Sequence, residues 1–208
     1  MYRLLALASG RGSNFLAILK ALESKEIPNA KMVGLITDRE NTGAEEYAKK
    51  YQVPVKIISY SKYSNKNDFH KDLLEAAKSF NPDLILGAGF MRILSDEFVK
   101  TFQDRIMNIH PSLLPAFPGM NAQKQALEYG VKVSGCTVHF IDEGVDTGPI
   151  ILQKAVDIPE GATVEELSQL ILKEEHKLYI KAIQLFCENK LEIQYSPGKR
   201  KIVKIKNY

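Results

Sequence analysis

Short apolar runs alternate with amphipathic segments from Arg3 to Ile109. A chain patterned this way folds as βαβ units, because a parallel sheet with helices packed on it buries both kinds of apolar surface. Strands are expected at Arg3–Ala8, Lys31–Thr37, Val53–Ile58, Leu84–Ala88 and Arg105–Ile109. The first, second and fourth are nearly continuous apolar runs, the mark of strands covered on both faces. Helices fit between them at Asn14–Ser24, Gly43–Lys50, Asn67–Ser79 and Asp96–Phe102, with Ser95 placed to cap the last. The expected fold class is therefore α/β, a Rossmann-like, mostly parallel sheet with helices on both faces.

In the second half the pattern changes. Lys132–Ile141 and Pro149–Val156 read as strands joined by the loop Asp142–Gly148. A long helix begins after the Pro159–Gly161 turn, where Thr163 and Glu166 have capping-box spacing, and it runs to about Asn189. A basic tail follows, with Ile202, Val203 and Ile205 set among its charges. It is expected to be a solvated strand edge rather than a binding site.

The 208 residues are 45% hydrophobic and 25% charged, ordinary values for one globular α/β domain. A net charge of +3 suits anionic small-molecule ligands and is too slight to indicate nucleic acid. Cys136 and Cys187 lie in apolar patterns without metal-ligand spacing and are expected as reduced core residues. The apolar run Leu4–Ala8 is too short for a signal peptide or a membrane span. The expected location is cytoplasmic, with no membrane partner.

Four segments carry chemistry. Ser9-Gly10-Arg11-Gly12-Ser13-Asn14 joins the first strand to the first helix. Glycines with a hydroxyl residue at a helix N-terminus leave backbone N–H groups open to a phosphate. The same segment also reads as a tight turn capped by Ser13. It lacks the third glycine of a dinucleotide fingerprint and the Gly-Lys-Ser/Thr ending of a P-loop. Asn108-Ile109-His110-Pro111-Ser112-Leu113-Leu114-Pro115 falls at the carboxyl end of a strand, the edge where open α/β sheets bind ligands. Asn108 and His110 alternate with Ile109 and so share one side of that strand, which admits a catalytic pair or a structural one. The loop Asp142-Glu143-Gly144-Val145-Asp146-Thr147-Gly148 is a weak signal alone, and its spacing is wrong for calcium. On the long helix, Val164, Leu167, Ile171, Leu178, Ala182 and Leu185 form an apolar stripe that also contains Glu175. A carboxylate there needs either a salt-bridge partner or a polar ligand. No metal site is expected.

Together these segments resemble the phosphoribosylglycinamide formyltransferases. The likeness is carried by Gly12-Ser13-Asn14, by Gly89-Phe90-Met91-Arg92-Ile93-Leu94-Ser95, by the segment from Asn108 to Pro115, and by Val138-His139-Phe140 ahead of Asp146-Thr147-Gly148-Pro149-Ile150. It runs in one register from about Arg3 to Lys190. Asn-x-His with a distant aspartate is common to the wider folate-dependent formyltransferase superfamily. The N-terminal Gly-x-Gly-Ser-Asn and the pair Glu175-His176 are similar to its purine branch.

The resemblance implies a formyltransferase-type fold, with residues 1–190 as a single catalytic domain and 191–208 as its basic C-terminal extension. It implies a transferase of de novo purine (IMP) biosynthesis. Such an enzyme moves the formyl group of 10-formyltetrahydrofolate, the donor cosubstrate, to the glycine amine of 5-phosphoribosylglycinamide by direct attack and a tetrahedral intermediate. Gly12, Ser13 and Asn14 would hold the ribonucleotide phosphate and Glu175 the ribose hydroxyls. Met91, Arg92, Ile93, Leu94, Asn108, Asp142, Glu143, Gly144, Val145 and Asp146 would line the folate pocket, with Lys66 near the glutamyl tail. Asn108, His110 and Asp146 form the implied catalytic trio: an amide for the oxyanion, an imidazolium for proton transfer, and a carboxylate that steadies its charge. The implied partners are small molecules, and the implied state is a monomer or weak homodimer. The relatives' cis bond is expected at Leu114–Pro115.

Two positions depart from the family pattern. Asn121 stands where relatives often carry histidine, and Leu172 where many carry lysine or glutamine near the phosphate, with Arg11 a candidate source of the missing charge. Rival readings are another folate enzyme, such as methionyl-tRNA formyltransferase or formyltetrahydrofolate hydrolase, and a non-catalytic phosphate sensor. The first two are expected to need a further domain, and the sensor leaves Asn108, His110 and Asp146 unexplained.

Overall fold

The computed structural model describes residues 1–195, 198 and 200–206. They fall into two compact units, Met1–Met107 and Asn108–Tyr208. The first unit contains β1 (Tyr2–Ala8), α1 (Ser13–Glu23), β2 (Ala30–Thr37), α2 (Gly43–Lys50), β3 (Val55–Ile57), α3 (Lys66–Ser79), β4 (Leu84–Gly87) and α4 (Asp96–Thr101). β1 pairs in parallel with both β2 and β4, and β2 in parallel with β3. The order β3-β2-β1-β4 therefore reverses direction between β1 and β4, which makes the carboxyl ends of these two strands a topological switch point.

Residue alternation explains the layers. Ala6 and Ala8 of β1 pack with Phe15 and Leu19 of α1 and with Ala44 and Ala48 of α2. On β2, Leu35 joins that cluster. Its neighbour Gly34 faces the other way, where an added Cβ would run into the Phe80 ring just after α3. Helices thus cover both faces, as the near-continuous apolar strands require. Leu4, Leu5 and Leu7 are at most 1% exposed, and burial of each contributes about 2 kcal/mol. β3 is shorter than expected and its residues are exposed, because it lies at the end of the strand order.

β5 (Ile106–His110) runs into the second unit, which continues with α5 (Ala122–Tyr129), β6 (Val133–Phe140), β7 (Ile150–Asp157), α6 (Val164–Cys187), β8 (Leu191–Gln194) and β9 (Ile202–Ile205). β6 and β7 are antiparallel, the minority pairing in a mostly parallel Rossmann-like fold. The helix α5 has no counterpart in the sequence reading. Only Ala122 and Ala126 are buried on it, and its first turn holds no acidic residue, so its amphipathic signal is faint. The tail resolves into an antiparallel ribbon of β8 and β9. The Leu114–Pro115 peptide is cis.

The stripe on α6 needs correction at two positions. Val164 is 44% exposed and Leu178 half-buried, while Tyr179 is fully buried in their stead. The buried line is Leu167, Ile171, Glu175, Tyr179 and Ala182, spaced by four and then three, and Glu175 does sit on it. The capping box forms: Thr163 Oγ1 accepts from the Glu166 N–H, and the Glu166 carboxylate accepts from the Thr163 N–H at 2.8 Å. Thr163→Ala should therefore cost about 1 kcal/mol, read as a shift of the chemical-denaturation midpoint at constant slope.

Cys136 and Cys187 are both buried and outside any disulfide, and burial pushes Cys136 up to about 12. Among the described residues no helix is long and apolar enough to cross a membrane.

Candidate active site

In the first unit the loop after β1 is shaped by close packing. Gly12 has φ 73°, and a Cβ there would come within 2.7 Å of the Ala44 Cα, so both the backbone and its neighbour demand glycine. Gly12 is also the N-cap of α1, which makes Ser13 the first helical residue and not the cap of a tight turn. No N-cap side chain closes this end of α1, and its first turn carries no acidic residue. The positive end of the helix dipole is therefore left for an anion. Beside it lies a cavity of ≈ 480 Å³ lined by Ser9, Arg11, Arg39 and Thr42 among others. The loop after β4 holds Met91 and Ile93 with their apolar side chains 63% and 75% exposed. Lys66 opens α3 in an exposed position, behind the Asn65 cap.

The second unit gathers the polar groups of β5, β6 and the loop after β6. His110 is 5% exposed, and its two ring nitrogens meet different acceptors. Nε2 lies 2.9 Å from the Phe117 carbonyl oxygen, and Nδ1 lies 3.3 Å from Asp146 Oδ2. A carbonyl can only accept, so the Nε2 contact places a proton on that nitrogen, while Nδ1 faces the carboxylate at ion-pair distance. Asp146 Oδ2 also accepts from the Gly119 N–H at 2.8 Å. Asp146 has φ 54°, a left-handed conformation rare outside glycine and tolerated by aspartate.

The loop that carries Asp146 is a built turn. Asp142 Oδ1 accepts from the Gly144 N–H at 3.1 Å and from the Thr147 hydroxyl at 2.6 Å. At Gly148 a Cβ would collide with the Phe140 carbonyl, so the chain closes tightly behind Asp146. Below His110, the buried Thr137 hydroxyl donates to the Ser112 carbonyl at 2.7 Å and accepts from the Leu114 N–H at 3.0 Å. That fixes the strand end from which His110 projects.

Asn108 is oriented by a residue to which the sequence assigned no role. His139 on β6 is 1% exposed, and its Nδ1 lies 2.9 Å from the Phe140 carbonyl, which places a proton on that nitrogen. Burial pushes the ring toward its neutral form, outweighing the Phe140 carbonyl and the Asp146 charge. The lone pair on Nε2 then accepts from the Asn108 side-chain N–H at 3.3 Å. The 3.6 Å approach of the same nitrogen to Asp146 Oδ1 is too long for a hydrogen bond, and a neutral ring has no proton to place there. The tautomer of His139 thus decides which end of the Asn108 amide is nitrogen.

A neutral buried histidine has a pH consequence. Below about pH 6.5 the unfolded chain takes up a proton that folded His139 refuses, so stability falls as pH drops below that value. Thermal melts from pH 7.5 to 5.5 should show the loss in the wild type, and His139→Asn should flatten it. An equal slope in both proteins would mean that His139 is protonated in the fold.

Comparison with known proteins identifies the chain. The family model described as formyl transferase matches residues 2–183. The chain belongs to the formyl transferase family. Within that family, it is 42% identical over 184 residues to phosphoribosylglycinamide formyltransferase of Bacillus subtilis, covering 88% of this chain and 94% of that protein. It is 40% identical over 193 residues to the trifunctional purine biosynthetic protein adenosine-3 of Bos taurus, of which it spans only 19%. The crystal structure of glycinamide ribonucleotide transformylase 1 from Symbiobacterium toebii is 44% identical, with a TM-score of 0.93 over 100% of this chain and 95% of that one.

For a formyl transferase of this kind, the expected residues separate by unit. Asn108, His110 and Asp146 come together in the second, joined by the unforeseen His139, Phe117 and Gly119. Glu175 lies in the same unit, 7% exposed on the buried line of α6. Gly12, Ser13, Asn14, Lys66 and Met91 to Leu94 belong to the first unit. Of the loop residues, Glu143, Gly144 and Val145 are exposed, whereas Asp142 and Asp146 are partly buried. Asn121 takes a left-handed conformation as N-cap of α5.

Proposed function

We propose that this formyl transferase carries the formyl group of 10-formyltetrahydrofolate to the glycine amine of glycinamide ribonucleotide, a step of de novo purine synthesis. The observation that supports it most is the meeting of Asn108, His110 and Asp146 in a chain of this family, with His110 Nδ1 at 3.3 Å from the carboxylate. The neutral amine attacks the formyl carbon, forming the new C–N bond and turning the carbonyl oxygen into an oxyanion. The second N–H of the Asn108 amide and an N–H of His110 stabilise that oxygen. As the bond to N10 breaks, His110 gives N10 a proton and then takes one from the attacking nitrogen, which restores the imidazolium. For its Nε2–H to reach substrate, His110 must release the Phe117 carbonyl. Asp146 steadies the imidazolium throughout.

The loop Gly12, Ser13 and Asn14 takes the phosphate, with Arg11 adding charge, and Glu175 takes the ribose hydroxyls. Met91, Arg92, Ile93, Leu94 and the loop from Asp142 to Asp146 receive the folate, and Lys66 its glutamyl tail. Gly12→Val should raise the ribonucleotide KM roughly tenfold or more and leave the donor KM unchanged. Equal weakening of both ligands would point to misfolding around Ala44. The reaction itself is tested by incubating the protein with 10-formyltetrahydrofolate, with and without the ribonucleotide. Formyl loss only when the ribonucleotide is present supports transfer. Formate released in its absence would make the protein a hydrolase, and no consumption in either arm would leave it a phosphate binder.

A further inference from the structure

The loop after β4 is tied down from beneath by one carboxylate. Asp38 follows β2 with its side chain fully buried, an environment that disfavours a charge unless it is compensated. Arg92 Nε donates to Asp38 Oδ2 at 2.6 Å and Arg39 Nε to Oδ1 at 3.1 Å, and the nearby Ser9 hydroxyl also favours the charged carboxylate. Ser9 Oγ in turn accepts from the Met91 N–H at 2.8 Å, while the Ser9 N–H donates to the Gly89 carbonyl at 3.1 Å. The Arg92 guanidinium lies over the Tyr60 ring, 4.0 Å from its centre, and the Tyr60 N–H donates to the Asp38 carbonyl at 2.9 Å. Gly89, Met91 and Arg92 are each fastened to this frame, yet Met91 and Ile93 present exposed apolar side chains on either side of the anchored arginine.

We propose that Asp38 is a positioning residue for the formyl donor. It locks Ser9 and Arg92 under Met91–Leu94, so that the loop's backbone N–H and C=O groups are fixed for the hydrogen-bonding edge of a flat heteroaromatic ring. It also neutralises Arg92 within the protein, so that Met91 and Ile93 offer that ring an apolar rim without a competing charge. This assignment rests on the formyl-transfer reading and adds to it a residue outside every recognised motif. Burial pushes the Asp38 carboxyl up, but the bonds from Arg39, Arg92 and Ser9 outweigh it and hold the group below the usual carboxylate range. The clamp is therefore complete at neutral and mildly acid pH and is lost only as pH falls through that depressed value.

Asp38→Asn in the full chain keeps the shape and removes the charge. The donor KM should rise about tenfold, with kcat and the ribonucleotide KM within about twofold of wild type. Amide hydrogen exchange in the ligand-free protein should quicken at Met91 and Arg92 and stay unchanged in β1 and β4. Combining Asp38→Asn with Arg92→Met should raise the donor KM no further than the first change alone. An unchanged donor KM would overturn the assignment, as would a parallel rise of both KM values with a lowered Tm, the sign of a merely structural ion pair. A wild-type protein without transfer activity would instead overturn the functional reading. In that case, the exchange rates at Met91 and Arg92 still decide whether Asp38 holds the loop.

Discussion

His110→Ala is expected to lower kcat by about three orders of magnitude, equivalent to ~4 kcal/mol of transition-state stabilisation. The size follows from its two tasks, since the same imidazolium donates to the oxyanion and moves a proton to the leaving nitrogen. Binding of both substrates should change by less than about threefold, because the phosphate loop and the loop after β4 are supplied by other residues. Single-turnover rates with saturating ligands, set beside equilibrium titrations, separate the two effects. A variant that turns over normally but binds the ribonucleotide poorly would recast His110 as a binding residue.

Asn108→Ala should cost about 10²–10³ in kcat, the usual loss for one preorganised oxyanion donor. Its amide is aimed before substrate arrives: Phe140 sets the tautomer of His139, and His139 accepts from one N–H of Asn108 at 3.3 Å. The second N–H is left for the developing charge. His139→Asn should therefore reduce kcat by only about tenfold, because it loosens the donor without removing it. Combined with Asn108→Ala, it should add almost nothing. If His139→Asn were as damaging as Asn108→Ala and additive with it, the buried ring would have its own part in the chemistry.

The fold was legible because buried strands need continuous apolar runs and covering helices need a periodic stripe, and both were present between Arg3 and Ile109. The helix α5 was not, because two alanines at i and i+4 leave no contrast against a polar background. At the site, strand alternation put Asn108 and His110 on one side of β5 from sequence alone. Their aspartate came only with the family resemblance, since the aim of Asp146 depends on a turn closed by Asp142, Thr147 and Gly148. His139 stood inside the motif Val138-His139-Phe140 without a role, because its aim at Asn108 depends on the pairing of β5 with β6 side chains in space. Phe117 acts through its carbonyl, which has no sequence signature. The Asp38–Arg92 pair joins residues 54 apart, beyond any local pattern, and only the assembled strand ends bring them together.

The dependence of Asp146 on His110 is measured most directly by a double-mutant cycle on kcat for formyl transfer. Asp146→Asn alone should lower kcat by about 10², because the imidazolium loses the carboxylate 3.3 Å from Nδ1. With His110→Ala already in place, Asp146→Asn should change kcat by less than about 0.5 kcal/mol, since there is no longer a ring for the carboxylate to steady. Losses that simply add in the double variant would contradict the pairing and move Asp146 from catalysis to binding or to the structure of its own loop.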